Sequence, residues 1–330
     1  MDELAPALEG EEVDAEEAEV RSAQVGLDSH GSRLDRFLVG LAPEFSRNHL
    51  QSLVERGCVS ISGETVTKDA RKLKAGEQVR VALLPTEESR AFRAEAMVLP
   101  VVFEDEHLMV VNKPVGLVVH PAPGNWSGTL MNGLLAHHTA AATLPRGGIV
   151  HRLDKDTTGL MVVGKTLEAV TALSRAIAAR EVHREYVALV HGNAVESFIV
   201  EAPLRRDPVT KVKMVVRADG KPSRTDVYRL DGTEIDGRAI SAVHCVLHSG
   251  RTHQIRVHLA SRGHPLLADA LYGGAPALGL ARQALHAARL AFVHPISGQA
   301  LEFDAPMPQD LRSAWDLAHL DVGPLPDRSE

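Results

Sequence analysis

The chain has 330 residues, 44% of them hydrophobic and 24% charged, and a formal net charge of −7. That is enough chain for one large or two moderate globular domains with buried cores. No apolar run approaches the ~20 residues that would cross a bilayer, and the acidic N-terminus fits neither a signal nor a transit peptide. Cys58 and Cys245, the two cysteines, stand far apart without metal-ligand spacing. They point to a reducing cytoplasm and argue against a disulfide framework or a zinc site. The negative charge is concentrated: residues 1–20 hold nine acids and no Lys or Arg, leaving 36 bases and 34 acids in residues 21–330. Residues 1–30 are therefore expected to form an acidic, disordered tail on a near-neutral body that an anionic partner can approach.

Leu34, Phe37, Leu38 and Leu41 recur at helical spacing behind Ser32, a candidate cap, and Pro43 ends the run. Ser46 opens a second helix with Leu50, Leu53 and Val54 inward, and Gly57 closes it. Short strands are predicted at 59–61, 65–67 and 78–84, with a Ser62-Gly63 turn. Residues 31–80 carry nine Lys/Arg against six acids, a local excess suited to phosphate attraction and equally to a solvated face. Residues 85–97 are polar and aperiodic and read as a linker. A larger unit over 98–318 follows, with strands predicted at 101–103, 108–112, 160–163, 186–191 and 242–247. Amphipathic helices are predicted at 166–180, with Leu167, Val170, Leu173 and Ile177 on one face, and at 252–262. This pattern predicts an α+β fold around a mixed or antiparallel sheet, with residues 319–330 as a C-terminal tail.

Chemistry is densest in His151-Arg152-Leu153-Asp154-Lys155-Asp156-Thr157-Thr158-Gly159, just before an apolar strand. A polar turn that satisfies its own backbone would account for the Asp and Thr residues, but not for the His-Arg pair that leads in. Two motif matches overlap the segment. Residues 159–166, GLMVVGKT, fit the phosphate-loop pattern, but the intervening Leu-Met-Val-Val is itself a strand, so Lys165 reads as a strand-end cation. Residues 154–158 fit the D-x-D-x-T signature of magnesium-dependent aspartyl-phosphate phosphohydrolases, but no hydrophobic strand precedes Asp154 and no GD-x-x-x-D segment follows. His253 and His258 lie five residues apart, about 140° around a helix, and cannot share one metal. His151 and the remaining histidines read as structural.

Residues 98–310 resemble the pseudouridine synthase family that acts on large-subunit (23S) ribosomal RNA. The resemblance rests on NKPVGLVVHP (112–121), GIVHRLDKDTTGLMVV (148–163), REYVALV (184–190), SGRTHQIRVHLA (249–260) and RQALHAARLAFVHPISG (282–298), in family order and spacing. It implies a uridine isomerase without metal or other cofactor. Asp154 would be the catalytic carboxylate, Arg256 its charge partner, Tyr186 the residue that stacks on the base, and Arg152 the residue that fills the gap left by a flipped uridine. The sequence leaves open whether Asp154 attacks C1′, adds to C6 or promotes elimination. Ser249 stands where the family has Thr, and Ala268 where it tends to have Gly before Asp269, whose role is left open. Residues 32–80 resemble the RNA-binding module named after small-subunit ribosomal protein S-four, which implies that Arg47, Asn48, Lys68 and Arg71 face RNA. The expected protein is a cytoplasmic monomer that works on ribosomal RNA or a pre-ribosomal particle, away from membranes. The alternatives are a noncatalytic RNA-binding assembly factor and the phosphohydrolase already described.

Overall fold

The computed structural model describes residues 19–84 and 91–321, and the chain divides into two compact units at residues 90 and 91. The first unit contains β1 (Glu19–Gln24), α1 (Leu34–Leu41), α2 (Arg47–Glu55), β2 (Val59–Ile61), β3 (Glu64–Thr65) and β4 (Gln78–Leu83). Its antiparallel sheet has the order β1-β4-β2-β3. The two helices bury Leu34, Leu38, Leu50, Leu53 and Val54 against Val59, Val79 and Val81. Ser46 caps α2 by accepting from the His49 N–H at 3.3 Å. Ser32 does not cap α1; Arg33 stands there, and the Ser32 hydroxyl donates to Ser29 O.

The expected tail is too long as drawn at 1–30. Residues 19–24 pair with β4 along its whole length, because Val79 and Val81 need a partner strand on that side. Residues 1–18, the acidic core of that tail, lie outside the described residues.

The second unit runs β5 (Val101–Glu104), β6 (Leu108–Lys113), α3 (Leu130–His137), β7 (Thr158–Gly164), α4 (Leu167–Ala179), β8 (His183–His191), β9 (Ser197–Glu201), β10 (Leu204–Arg206), β11 (Met214–Val216), β12 (Arg224–Ile235), β13 (Arg238–Leu247), α5 (Gln254–Ser261), β14 (Leu285–Val293), β15 (Ala300–Asp304) and α6 (Gln309–Leu317). A nine-stranded sheet has the order β5-β6-β7-β14-β8-β13-β12-β9, and β15 adds to the far end of β14. One pair, β7 with β14, is parallel and the others are antiparallel, so the α+β reading with a mixed sheet holds. Both faces are covered, which is why LMVV, GLMVV and YVALV read as continuous apolar runs. Met109, Met161, Tyr186 and Ala188 belong to one core, while Leu108, Val110, Leu160 and Val162 belong to another. No helix among the described residues is long and apolar enough to cross a membrane.

Boundaries at both ends move outward. Residues 91–97, expected in the linker, pack on α3: the Asn132 side-chain amide donates to Arg93 O at 2.8 Å, and Gly128 N–H donates to the Glu95 carboxylate at 2.7 Å. Residues 85–90, the rest of that linker, lie outside the described residues, as do 322–330. At the other end Leu320 is buried and Asp321 N–H donates to Asp231, so the expected tail begins later than 319. On α4, Val170 and Leu173 face inward as predicted, but Leu167 is exposed at the first turn.

Candidate active site

The segment 151–157 has little regular structure, and a ring of side chains from elsewhere fixes its course. Lys113, at the end of β6, is fully buried and spends its three protons on Pro114 O, Leu117 O and Lys155 O at 2.8, 2.9 and 2.8 Å. Burial pulls its pKa down to about 8 against the opposing charges of Asp156 and Asp154, so it remains an ammonium at neutral pH. Arg282 grips Asp310 with two bonds and donates to Asp156 O, and Gln283 donates to Thr157. His151 accepts from the Val162 N–H at 3.0 Å. Burial and the charge of Arg184 push its pKa to about 3, so it is neutral. Gly159 is required where β7 meets β14: its φ is +115°, and a Cβ there would lie 2.2 Å from Ala287 O.

These constraints aim Asp154 at Arg256 on α5. Arg256 Nη1 donates to Asp154 Oδ2 at 3.0 Å, while its Nε and Nη2 clasp both oxygens of Asp269 at 2.7 and 2.8 Å. Asp269 is 1% exposed and Asp154 15%, so one carboxylate is an anchor and the other is open to a ligand. Burial opposes the guanidinium charge, but the Asp269 bonds and the two carboxylate charges outweigh it and raise the Arg256 pKa. Its planar fork serves both acids at once, which an ammonium cannot do. The Tyr272 ring lies under the guanidinium at 5.1 Å and completes its environment.

Asp154, Arg152, Tyr186 and Arg256 line one cavity together with the 250–255 segment. The space is about 50 Å³, room for a few waters. At its rim Arg152 is exposed and makes no salt bridge among the described residues. Tyr186, on β8 between Cys245 and Ala287, is buried. Burial lifts its pKa to about 12, with Arg184 opposing, so it holds its proton at neutral pH.

The structure thus brings together Asp154, Tyr186, Arg256 and Arg152. It also adds residues the sequence reading missed. His253 sits 3.9 Å from Asp154 and hydrogen-bonds Tyr272 through Nδ1 at 2.8 Å. It stands in a left-handed turn ahead of α5, which a helical wheel cannot anticipate. Lys113 lay inside a quoted motif, and a lysine within an apolar strand end was the available signal. His258 is occupied by Thr225 and Ala202 O. Ser249 keeps a hydroxyl in use, donating to Gln254 and accepting from Arg224 N–H. Ala268 has φ +56°, the left-handed region that glycine tolerates best, which accounts for the glycine usual at that place. Lys165 follows directly on β7 and pairs with Glu104 at 2.7 Å, as a strand-end cation would.

In the first unit the four residues picked out for RNA divide. Asn48 and Lys68 are exposed. Arg47 is held by Asp35 at 2.7 Å and Arg71 by Glu77 at 3.1 Å, so both have structural work within the unit.

A family described as RNA pseudouridylate synthase matches residues 107–261, the span that contains Asp154, Tyr186 and Arg256. The chain belongs to the RNA pseudouridine synthase family and is an RNA isomerase. Among its relatives is "Ribosomal large subunit pseudouridine synthase D" of Nitrosomonas europaea, 46% identical over 88% of this chain and 87% of the relative. The protein of that name from Escherichia coli is 40% identical over 91% of this chain and 94% of its own length. Of solved structures, human RNA pseudouridylate synthase domain containing 1 superposes with a TM-score of 0.53 at 26% identity, covering 66% of this chain and 87% of that one.

Proposed function

We propose that the protein isomerises specific uridines of large-subunit (23S) ribosomal RNA, with Asp154 as the catalytic carboxylate. The observation that carries the reading is the asymmetric clamp: Arg256 spends two bonds on buried Asp269 and one on Asp154, leaving Asp154 aimed and open to the cavity. Isomerisation breaks N1–C1′ and joins C5 to C1′; C5 loses a proton and N1 gains one. An ionised carboxylate can act at C1′ or C6, and either path has the same balance. Tyr186 offers a protonated phenol and a ring face to the base. Arg152, exposed at the rim, fills the space of the flipped nucleotide. None of these steps calls for a metal or other cofactor.

The relatives' names supply the substrate. In this reading residues 31–84 act as an RNA clamp of the S-four type, with Asn48 and Lys68 on phosphates and Arg47 and Arg71 contributing from their ion pairs. The protein works as a cytoplasmic monomer on ribosomal RNA or a pre-ribosomal particle. The test is pseudouridine mapping across ribosomal RNA from cells lacking this protein. Loss of a few large-subunit sites, restored by the wild-type gene, is expected. A complete pattern without the protein would refute the substrate.

A further inference from the structure

Beside the Asp154 cavity lies a second, larger one of about 500 Å³, the size of a small-ligand site. Five arginines line it (Arg146, Arg152, Arg180, Arg184 and Arg251), and no carboxylate does. Among the described residues none of the five forms a salt bridge; Arg251 makes a single long bond to Pro222 O. Uncompensated cations at such density raise one another's energy and are stabilised by an anion.

Among the described residues, three buried polar atoms of lining residues have no partner: Arg184 Nε, His120 Nε2 and His151 Nδ1. The His151 atom is a donor, since its Nε2 accepts from Val162. Buried donors are seldom left unmade without a reason. Arg184 is the sharpest case, 5% exposed and lodged where a Cβ on Gly250 would come within 2.7 Å of its Nη1. Arg146 and Arg180 both project from left-handed backbone, at φ 55° and 66°. At Arg180 this is the left-handed residue that closes α4, its N–H bonded to Ala176 O and Ile177 O.

Arg152, Arg184, Gly250 and Arg251 line both cavities and form their common wall. We propose that the second cavity is a nucleotide site distinct from that of the reacting base, which holds a phosphodiester of the RNA strand flanking the target uridine. Arg251 would donate to the phosphate from the common wall, and Arg146 and Arg180 from the rim. This rests on the reading of Asp154 as the reacting centre. The cavity would then fix the strand while the uridine turns in its neighbour.

The test uses the full chain carrying Arg146→Asn and Arg180→Asn together, because asparagine tolerates left-handed backbone and carries no charge. Single-turnover tritium release from C5-labelled RNA is measured across RNA concentration and salt. Half-saturation should rise about tenfold, and the salt slope should shrink by about 0.7 for each phosphate lost. The rate at saturating RNA should fall far less. Methylphosphonate linkages are then placed one at a time around the target. At one of them wild type should weaken about tenfold, while the double variant should lose no more than about twofold further. If the folded double variant keeps wild-type half-saturation and slope, or if every linkage affects both proteins alike, the proposal is overturned. Inorganic phosphate should compete weakly with RNA on wild type. Noncompetitive inhibition lost in the variant would mean a free-anion site and would also overturn it. Asp154→Asn is run alongside: release by that variant would defeat the catalytic assignment while leaving the linkage result to stand or fall by itself.

Discussion

Two arginine–carboxylate assemblies in this molecule use the same chemistry to opposite ends. In the first unit Asp35, wholly buried, accepts from Arg33, Arg47 and Gln51 at distances between 2.7 and 3.2 Å. Its partners reach solvent, with the Arg33 and Arg47 side chains 44% and 55% exposed. In the second unit the arginine is the buried member, 9% exposed, and one of its two carboxylates is left accessible. A carboxylate saturated with donors is a structural joint. One that receives a single guanidinium bond beside a cavity is available for chemistry. The comparison teaches that the count of donors and the side facing water, rather than the pairing itself, separate the two roles.

The largest effect that would break this distinction is on activity. Arg256→Met should lower the rate of tritium release by about 10²–10³, the scale for removing one oriented electrostatic donor. Arg256→Lys should recover little of it, because an ammonium cannot clasp Asp269 and reach Asp154 together. Full activity in Arg256→Lys would show that the shared fork is unimportant.

Next come the anchors. Asp269→Ala strands a buried guanidinium and should cost about 3–5 kcal/mol, read as denaturant midpoint of the second unit. Asp35→Ala leaves arginines that can turn to water, so about 1–3 kcal/mol is expected, read from hydrogen exchange in β2 and β4. Equal costs would erase the contrast. The Asp35 case also has a pH signature. The Arg33 hydrogen bonds, against opposing burial and with help from Arg47 and Gln51, hold its pKa well below the ordinary carboxylate range. Its folded pKa is depressed, so its stabilisation is present above about pH 4 and is lost as pH falls toward that lower value. The stability gap between wild type and Asp35→Asn should therefore narrow on acidification from pH 5 to 2. A gap that stays constant contradicts the assignment. The smallest effect is at Ala268: relief of its left-handed backbone should make Ala268→Gly neutral or stabilising by up to about 1 kcal/mol, with activity unchanged.

Much of this was legible in the chain. The periodicity of α1, α2 and α4 and the apolar runs of β6, β7 and β8 placed those elements within a few residues, since local patterning and burial agree there. The five motifs picked out Asp154, Tyr186 and Arg256. Four things could not be read. β1 looks like an extension of an acidic tail, and only the free edge of β4 makes it a strand. Residues 91–97 look like a linker because what holds them lies far along the chain: the Asn132 side chain donates to Arg93 O, and the Glu95 N–H donates to Asn132 O. Asp269 reaches Arg256, and His253 reaches Asp154, through turns with positive φ just before Asp269 and at His253 itself, geometry that neither composition nor spacing encodes. The basic patch of residues 31–80 was visible as charge, but the partners of Arg47 and Arg71 within the unit were not.

Asp154 is the group on which the chemistry depends, and its nearly isosteric replacement by asparagine is the most direct test. Asp154→Asn removes the charge while keeping a group that can still accept from Arg256, so the fold and RNA affinity should persist. Tritium release from C5-labelled uridine in large-subunit RNA should drop below detection, including under single-turnover conditions with enzyme in excess. Release by the purified, folded variant at more than a few per cent of the wild-type rate would contradict the account, and the open carboxylate beside Arg256 would then be one more structural joint.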